Sequence, residues 1–215
     1  MLDRCPVVPV VVLDDPAHAV PLGEALLAGG IDAVEITLRT AAGLEGLRAL
    51  AKLEGMLVGA GTVLVPDQVD EVVEAGAGFV VSPGFSARVV DRAAERDVPV
   101  LPGVSGATDL MAVVEHGLSE VKLFPAGPLG GPAVVKALAS PFSGMRFMPS
   151  GGITPDTMGD YLALPPVPAV SGSWMVERTL LAEQRWAEVT ARAANAVARA
   201  RRWREDSGRR TGSRT

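Results

Sequence analysis

The chain reads as a single α/β domain of the (β/α)8 TIM-barrel type, and three observations predict it. A short Val/Ile/Leu run, a Gly- or Pro-bearing turn and a helical stretch recur in that order along the 215 residues. This alternation predicts parallel strands joined by crossover helices. Aromatics make up only 4% of a chain that is 48% hydrophobic, so the core must be built from Ala, Val, Leu and Ile. That suits strands buried on both faces. The residues after the first run, VVLDDPAH, lack the glycine-rich fingerprint of an open doubly wound sheet. A closed barrel of this length needs only short loops.

The elements follow in order. The first strand spans 6–13 (PVVPVVVL), and Pro16 suits the first turn of a helix whose N-cap is Asp15. Gly29-Gly30 stops that helix before strand 33–38 (AVEITL). Strand 57–63 (LVGAGTV) leads to a helix opened by Pro66 and closed by Gly76. Runs 79–83 (FVVSP) and 98–104 (VPVLPGV) are the next strands, and Gly117 caps the helix before 120–125 (EVKLFP). Strand 146–150 (RFMPS) precedes a helix start at Thr154-Pro155, and 167–172 (VPAVSG) completes the set of eight. Residues 1–200 read as the barrel and 201–215 as an Arg-rich, flexible tail.

Composition narrows the function classes. Cys5 is the only cysteine, which rules out an internal disulfide. The opening Met-Leu-Asp-Arg has no cationic lead-in, so the first apolar run reads as a strand and not a signal peptide. No apolar stretch reaches the roughly 18 residues that span a bilayer, and a cytoplasmic location is expected. Residues 199–215 carry a net charge of +5 within a chain of net −5, which leaves the body at −10. A body this acidic repels polyanions, so neither nucleic acid nor a membrane is an expected partner.

Lysine usage points to the chemistry. Only Lys52, Lys122 and Lys136 stand against 17 arginines, and Lys122 interrupts the apolar run EVKLFPA. A strongly hydrated charge in a buried strand is costly unless it has a task. Burial disfavours the charged form of an amine in general, and a neutral amine attacks a carbonyl to form a Schiff base.

Side chains alternate across a strand, and active groups of barrels sit at the strands' C-terminal ends. Val34, Ile36 and Leu38 therefore face helices, while Glu35, Thr37 and Arg39 point inward; likewise Val121 and Leu123 face helices while Lys122 and Phe124 point inward. A structural ion pair between Lys122 and Glu35 is one reading, though such a pair needs no second cation. The other assigns Lys122 to attack on a 2-keto group, Glu35 to proton transfer and Arg39 to the substrate carboxylate.

A second group of residues lies in the last two loops, Ser150-Gly151-Gly152-Ile153-Thr154 and Ser171-Gly172-Ser173-Trp174. Glycine lets a backbone approach a ligand closely, and barrels often bind phosphate at these loops. The same residues also suit ordinary turns. His18 and His116 sit in helical stretches without metal-ligand spacing, so no metal is expected.

Taken together, Glu35-Ile36-Thr37-Leu38-Arg39-Thr40, Gly59-Ala60-Gly61-Thr62-Val63, Ser82-Pro83-Gly84, Val121-Lys122-Leu123-Phe124-Pro125 and Pro149-Ser150-Gly151-Gly152-Ile153 resemble the class I KDPG aldolases. These are 2-dehydro-3-deoxy-6-phosphogluconate / 4-hydroxy-2-oxoglutarate aldolases, and the likeness runs from about residue 6 to 200. The resemblance implies a homotrimer without cofactor that reversibly cleaves a 2-keto-3-deoxy-6-phospho sugar acid to pyruvate and glyceraldehyde 3-phosphate. It implies Lys122 as the Schiff-base lysine and Glu35 as the acid/base. Arg39 and Thr62 are implied at the pyruvate carboxylate, Pro83 and Phe124 at the pocket wall, and Gly151, Gly152, Gly172 and Ser173 at the phosphate.

The chain departs from the family pattern at Gly127, where glutamate is frequent, at Ser150 in place of threonine, and at Ser171 in place of glycine. These departures fall toward the distal end of the substrate. The alternatives are an aldolase for the galactonate-derived epimer, an imine-free phosphosugar isomerase or epimerase, and an idle sugar-phosphate binder. Intact Glu35 and Lys122 argue against the last.

Overall fold

A computed structural model describes residues 2–212, with side chains from Leu2 to Trp203. Residues 213–215 of the Arg-rich tail, and the side chains of 204–212, lie outside the described residues. Strands and helices alternate from the start: β1 Val7–Val11, α1 Ala19–Ala28, β2 Ala33–Thr37, α2 Ala42–Leu50, β3 Leu57–Gly61 and α3 Pro66–Glu74. Then come β4 Phe79–Val81, α4 Ala87–Glu95, β5 Val100–Leu101, β6 Gly103–Val104, α5 Ala107–Glu115, β7 Glu120–Leu123 and α6 Pro132–Ala139. The chain continues with β8 Arg146–Pro149, α7 Met158–Leu162, β9 Val170–Gly172, α8 Arg178–Ala182 and α9 Trp186–Gly212.

The local signals act as the sequence predicts. Asp15 accepts a hydrogen bond from the Ala17 amide at 2.9 Å, with Pro16 opening a 3-10 turn that leads into α1. At the far end of α1, Gly30 takes a φ of 82° and the Ile31 amide returns to the Leu26 carbonyl, which satisfies an otherwise orphaned acceptor. Thr154 caps the turn before α7 by accepting from the Thr157 amide.

The expected closed eight-stranded TIM barrel is not what forms. The strands make two parallel ladders, a curled six-stranded sheet in the order β5-β4-β3-β2-β1-β9 and a three-stranded sheet in the order β6-β7-β8. Proline explains both seams. The predicted strand 98–104 breaks at Pro102, which has no N–H to donate. Its first half pairs with β4, while Gly103 and Val104 pair with Lys122 and Leu123 of β7. At the other seam β8 and β9 meet through a single bridge, Ser150 to Ser171. Pro149, Pro166 and Pro168 flank that seam and withhold three donors. The α/β class holds; ladder closure does not.

Side chains divide between two cores as period-2 alternation demands. Outward residues, among them Val34, Ile36, Val121, Leu123 and Phe147, join the large core under the helices. Inward residues form a smaller plug of Leu2, Val8, Phe79, Val81, Leu101, Met148 and Ala169. Gly59 leaves the space that the Phe79 ring fills, since a Cβ there would lie 2.1 Å from the ring. Helix α9 locks back onto α1, where Gly29 allows Ala193 and the Thr190 carbonyl to approach and Thr190 Oγ1 donates to the Ala25 carbonyl. Among the described residues no helix is long and apolar enough to cross a membrane.

Candidate active site

Above the inner plug, strand β7 turns Lys122 inward and strand β2 turns Glu35 toward it. Lys122 Nζ donates to both carboxylate oxygens, at 2.7 Å to Oε1 and 3.0 Å to Oε2. Lys122 is 4% exposed and Glu35 is fully buried. In an ion pair this dry each charge offsets the other, and removing either partner of such a pair costs about 3–5 kcal/mol. The Phe124 ring, just past the end of β7, lies 5.7 Å from Nζ.

Gly61 makes this geometry possible. A Cβ at that position would lie 2.3 Å from Glu35 Oε1, so the carboxylate occupies the space a side chain would take. Thr62, the next residue, holds a φ of 62°, a left-handed conformation that is strained for a β-branched residue. Its Oγ1 accepts from Arg39 Nε at 3.3 Å, which ties the arginine after β2 to the end of β3. Pro83 is near but separate. Its backbone crowds Gly103, the ladder partner of Lys122, where a Cβ would lie 2.3 Å from the Pro83 carbonyl carbon. Ser82 Oγ holds that corner by donating to the Gly84 carbonyl at 2.7 Å.

A cleft of about 560 Å³ opens over this centre, within the usual size for a small-molecule site. Six of the sequence-predicted binding residues line it: Arg39, Phe124, Gly151, Gly152, Gly172 and Ser173. Lys122, Glu35, Thr62 and Pro83 are not among its lining residues; the link to the pair is Phe124, which lines the cleft and whose ring lies 5.7 Å from Lys122 Nζ. Gly151 and Gly152 take φ values of 87° and 79°, which L side chains rarely adopt. The carbonyls of Ser150 and Gly151 accept from the Ala126 and Gly127 amides. With no Cβ at either position, this stretch of backbone can approach a ligand closely. Gly172 is required because the Trp174 ring packs where its side chain would stand. Beside it, Ser171 Oγ is buried without a hydrogen-bond partner.

The sequence reading missed three features here. Ser150, placed with the loop residues but not among those assigned to the phosphate, itself lines the cleft. Gly61 was visible within GAGT, but its steric purpose was not. Arg178 and Glu177 line the outer wall, contributed by the segment that opens α8. Arg178 holds the carboxylate of Asp14 through Nε–Oδ2 at 2.9 Å and Nη2–Oδ1 at 2.5 Å. Those hydrogen bonds keep the Asp14 carboxyl below the usual carboxylate range. His18 packs edge-on against Trp186, and His116 against Phe85, both in the helix layer. Among the described residues no three His, Cys, Asp or Glu side chains gather as a metal site would require.

Known proteins match this arrangement over nearly its full length. The family model described as KDPG and KHG aldolase matches residues 1–192. The KHG/KDPG aldolase of Escherichia coli (strain K12) is 45% identical over 198 residues, covering 92% of this chain and 93% of the relative. The 2-keto-3-deoxy-6-phosphogluconate aldolase of Zymomonas mobilis ZM4, solved with 3-phosphoglycerate, superposes with a TM-score of 0.86 at 41% identity, covering 92% and 93% of the two chains. The KDPG aldolase of Legionella pneumophila, with pyruvate captured as a covalent carbinolamine intermediate, gives a TM-score of 0.88 at 38% identity over 91% and 95%. With its dry lysine–glutamate pair beneath a glycine-lined cleft, the chain belongs to the KDPG and KHG aldolase family.

Proposed function

We propose that this chain is a class I aldolase that reversibly cleaves 2-dehydro-3-deoxy-6-phosphogluconate to pyruvate and glyceraldehyde 3-phosphate, with Lys122 as the amine that forms the Schiff base. The observation that carries the assignment of Lys122 is its buried, bidentate contact with Glu35 at the base of the cleft.

Glu35 is already in place to take a proton from Lys122 Nζ, and the freed amine adds to the C2 carbonyl. Glu35 returns protons to the carbinolamine oxygen, which leaves as water, and an iminium remains. A proton then passes from the C4 hydroxyl to Glu35 as the C3–C4 bond breaks. The bonding electrons flow into the iminium, giving an enamine and a free aldehyde. Protonation of the enamine at C3 and addition of water release pyruvate and restore Lys122. One carboxylate thus serves as base and acid in alternation, a role typically worth 10²–10⁴-fold in rate.

Arg39, anchored on Thr62, receives the C1 carboxylate as a guanidinium fork does best. Phe124 and Pro83 shape the pocket around the three-carbon keto acid. Gly151, Gly152, Gly172 and Ser173 take the distal phosphate, a reading supported by their shared place on the cleft and by the 3-phosphoglycerate in the Zymomonas relative's structure. The relatives' names also support 4-hydroxy-2-oxoglutarate as a second substrate, cleaved to pyruvate and glyoxylate by the same steps. A homotrimeric assembly enters this proposal from the family resemblance, and a cytoplasmic location from the expectation drawn on the sequence.

Incubation with pyruvate followed by borohydride tests the assignment. Mass spectrometry should find a reduced adduct on the peptide carrying Lys122, and none in Lys122→Met. An unmodified Lys122 at saturating pyruvate would overturn the imine mechanism.

A further inference from the structure

Arg178 is a cation in the cleft that none of the roles above uses. It lines the outer wall together with Gly172, Ser173 and Thr179. Two of its donors, Nε and Nη2, are fixed by Asp14. A guanidinium carries five N–H donors in a rigid fork, so this grip sets the plane of the group and leaves Nη1 with both its hydrogens for a ligand. Glu177, also on the cleft wall, has its carboxylate paired with Arg192 Nη1 at 3.0 Å.

Topology separates this arginine from Arg39. Arg39 follows β2 and is tied to the residue after β3, whereas Arg178 follows β9 and is tied to Asp14, downstream of β1. The strand order β3-β2-β1-β9 therefore puts the two anchored guanidinium groups on opposite flanks of one cleft. A phosphorylated 2-keto acid is anionic at both ends. In a chain of net charge −5, fixed local cations are what offset the repulsion such a substrate meets.

We propose that Arg178, oriented by Asp14, binds the distal anion of the substrate and sets the preference for phosphorylated over unphosphorylated 2-keto-3-deoxy sugar acids. Arg178 is then a specificity-determining residue and Asp14 the residue that positions it. The inference rests on the reading that a phosphate occupies the Gly151–Gly152 and Gly172–Ser173 end of the cleft.

The test compares kcat/KM for 2-keto-3-deoxy-6-phosphogluconate with that for 2-keto-3-deoxygluconate in the wild type, Arg178→Met and Arg178→Lys. Trapping of pyruvate on Lys122 checks that each variant has assembled its catalytic centre. In Arg178→Met the preference for the phosphorylated substrate should fall roughly ten- to hundredfold, the loss expected for a charge-assisted hydrogen bond to an anion. Arg178→Lys should recover part of it, since lysine keeps the charge and loses the fork. Inhibition by inorganic phosphate should weaken in the same order. A preference that survives intact in Arg178→Met, including through equal losses on both substrates, removes the role from Arg178 and leaves only a strap to Asp14. A wild type with no preference removes the phosphate subsite itself, and the role of Arg178 with it.

Discussion

Lys122 and Glu35 are carried by two strands and shut away from water, while Arg178 opens helix α8 and Asp14 lies in the loop after β1, with side chains 62% and 51% exposed. Both pairs join a cation to a carboxylate in a bidentate contact. Their energetics differ sharply. Separating a buried pair leaves an uncompensated charge and costs about 3–5 kcal/mol, whereas an exposed pair is screened and contributes about 0–1 kcal/mol. The inner pair is thus bound to one geometry by the fold, which suits a step common to every substrate. The rim pair contributes little to stability, and its exposed guanidinium keeps Nη1 open to a ligand, which suits recognition of the part of the substrate that varies. On the proposed roles, chemistry sits on the buried strands and specificity at the exposed rim.

Four substitutions can break or sharpen that division. The largest effect belongs to Lys122→Met, which should abolish both cleavage and pyruvate trapping; any residual imine chemistry would detach catalysis from the inner pair. Next, Glu35→Gln should lower kcat by roughly 10²–10⁴-fold, measured with saturating substrate, and full activity would remove Glu35 from proton transfer. Gly61→Ala sharpens the point without touching an ionisable group. Its Cβ would meet Glu35 Oε1 at 2.3 Å, and a displacement on the order of 1 Å can cost 10²-fold. Cleavage assays should find kcat lowered, and thermal melts should show a loss of stability. Wild-type behaviour in both would mean that the carboxylate is free to move.

The smallest effect belongs to the rim. Gly151→Ala forces a side chain to φ 87° and 3.1 Å from the Phe124 ring, a strain of about 1–3 kcal/mol. It should raise KM for the phosphorylated substrate by about tenfold while pyruvate still traps on Lys122. A variant that loses trapping as well would show that the two ends of the cleft are not separable.

Much of this was legible in the chain because burial on both faces writes strands as continuous Val/Ile runs. Within such a run a single lysine stands out, and period-2 alternation orients it. The same alternation turned Glu35 inward, and the Gly-Gly and Gly-Ser loops marked the cleft. The departure from a closed barrel was written only faintly. Pro102 was visible inside VPVLPGV, but whether it merely kinks a strand or divides it depends on which neighbour each half finds. Here Leu101 pairs with β4 and Gly103 with β7, a choice made by packing across the whole sheet.

By itself the sequence determined the α/β class, the order of strands and helices, the capping of the helices and the inward pair of Lys122 and Glu35. These follow from local rules: periodicity, proline and glycine at element ends, and the expense of a charge in an apolar strand. Tertiary structure alone decided that the ladders stop at two proline-rich seams, that Gly61 yields its volume to Glu35, and that Arg178 stands at the cleft. The reason is physical. Which side chain fills which space, and which arginine meets an aspartate 164 positions away, depends on distances that exist only once the chain is folded.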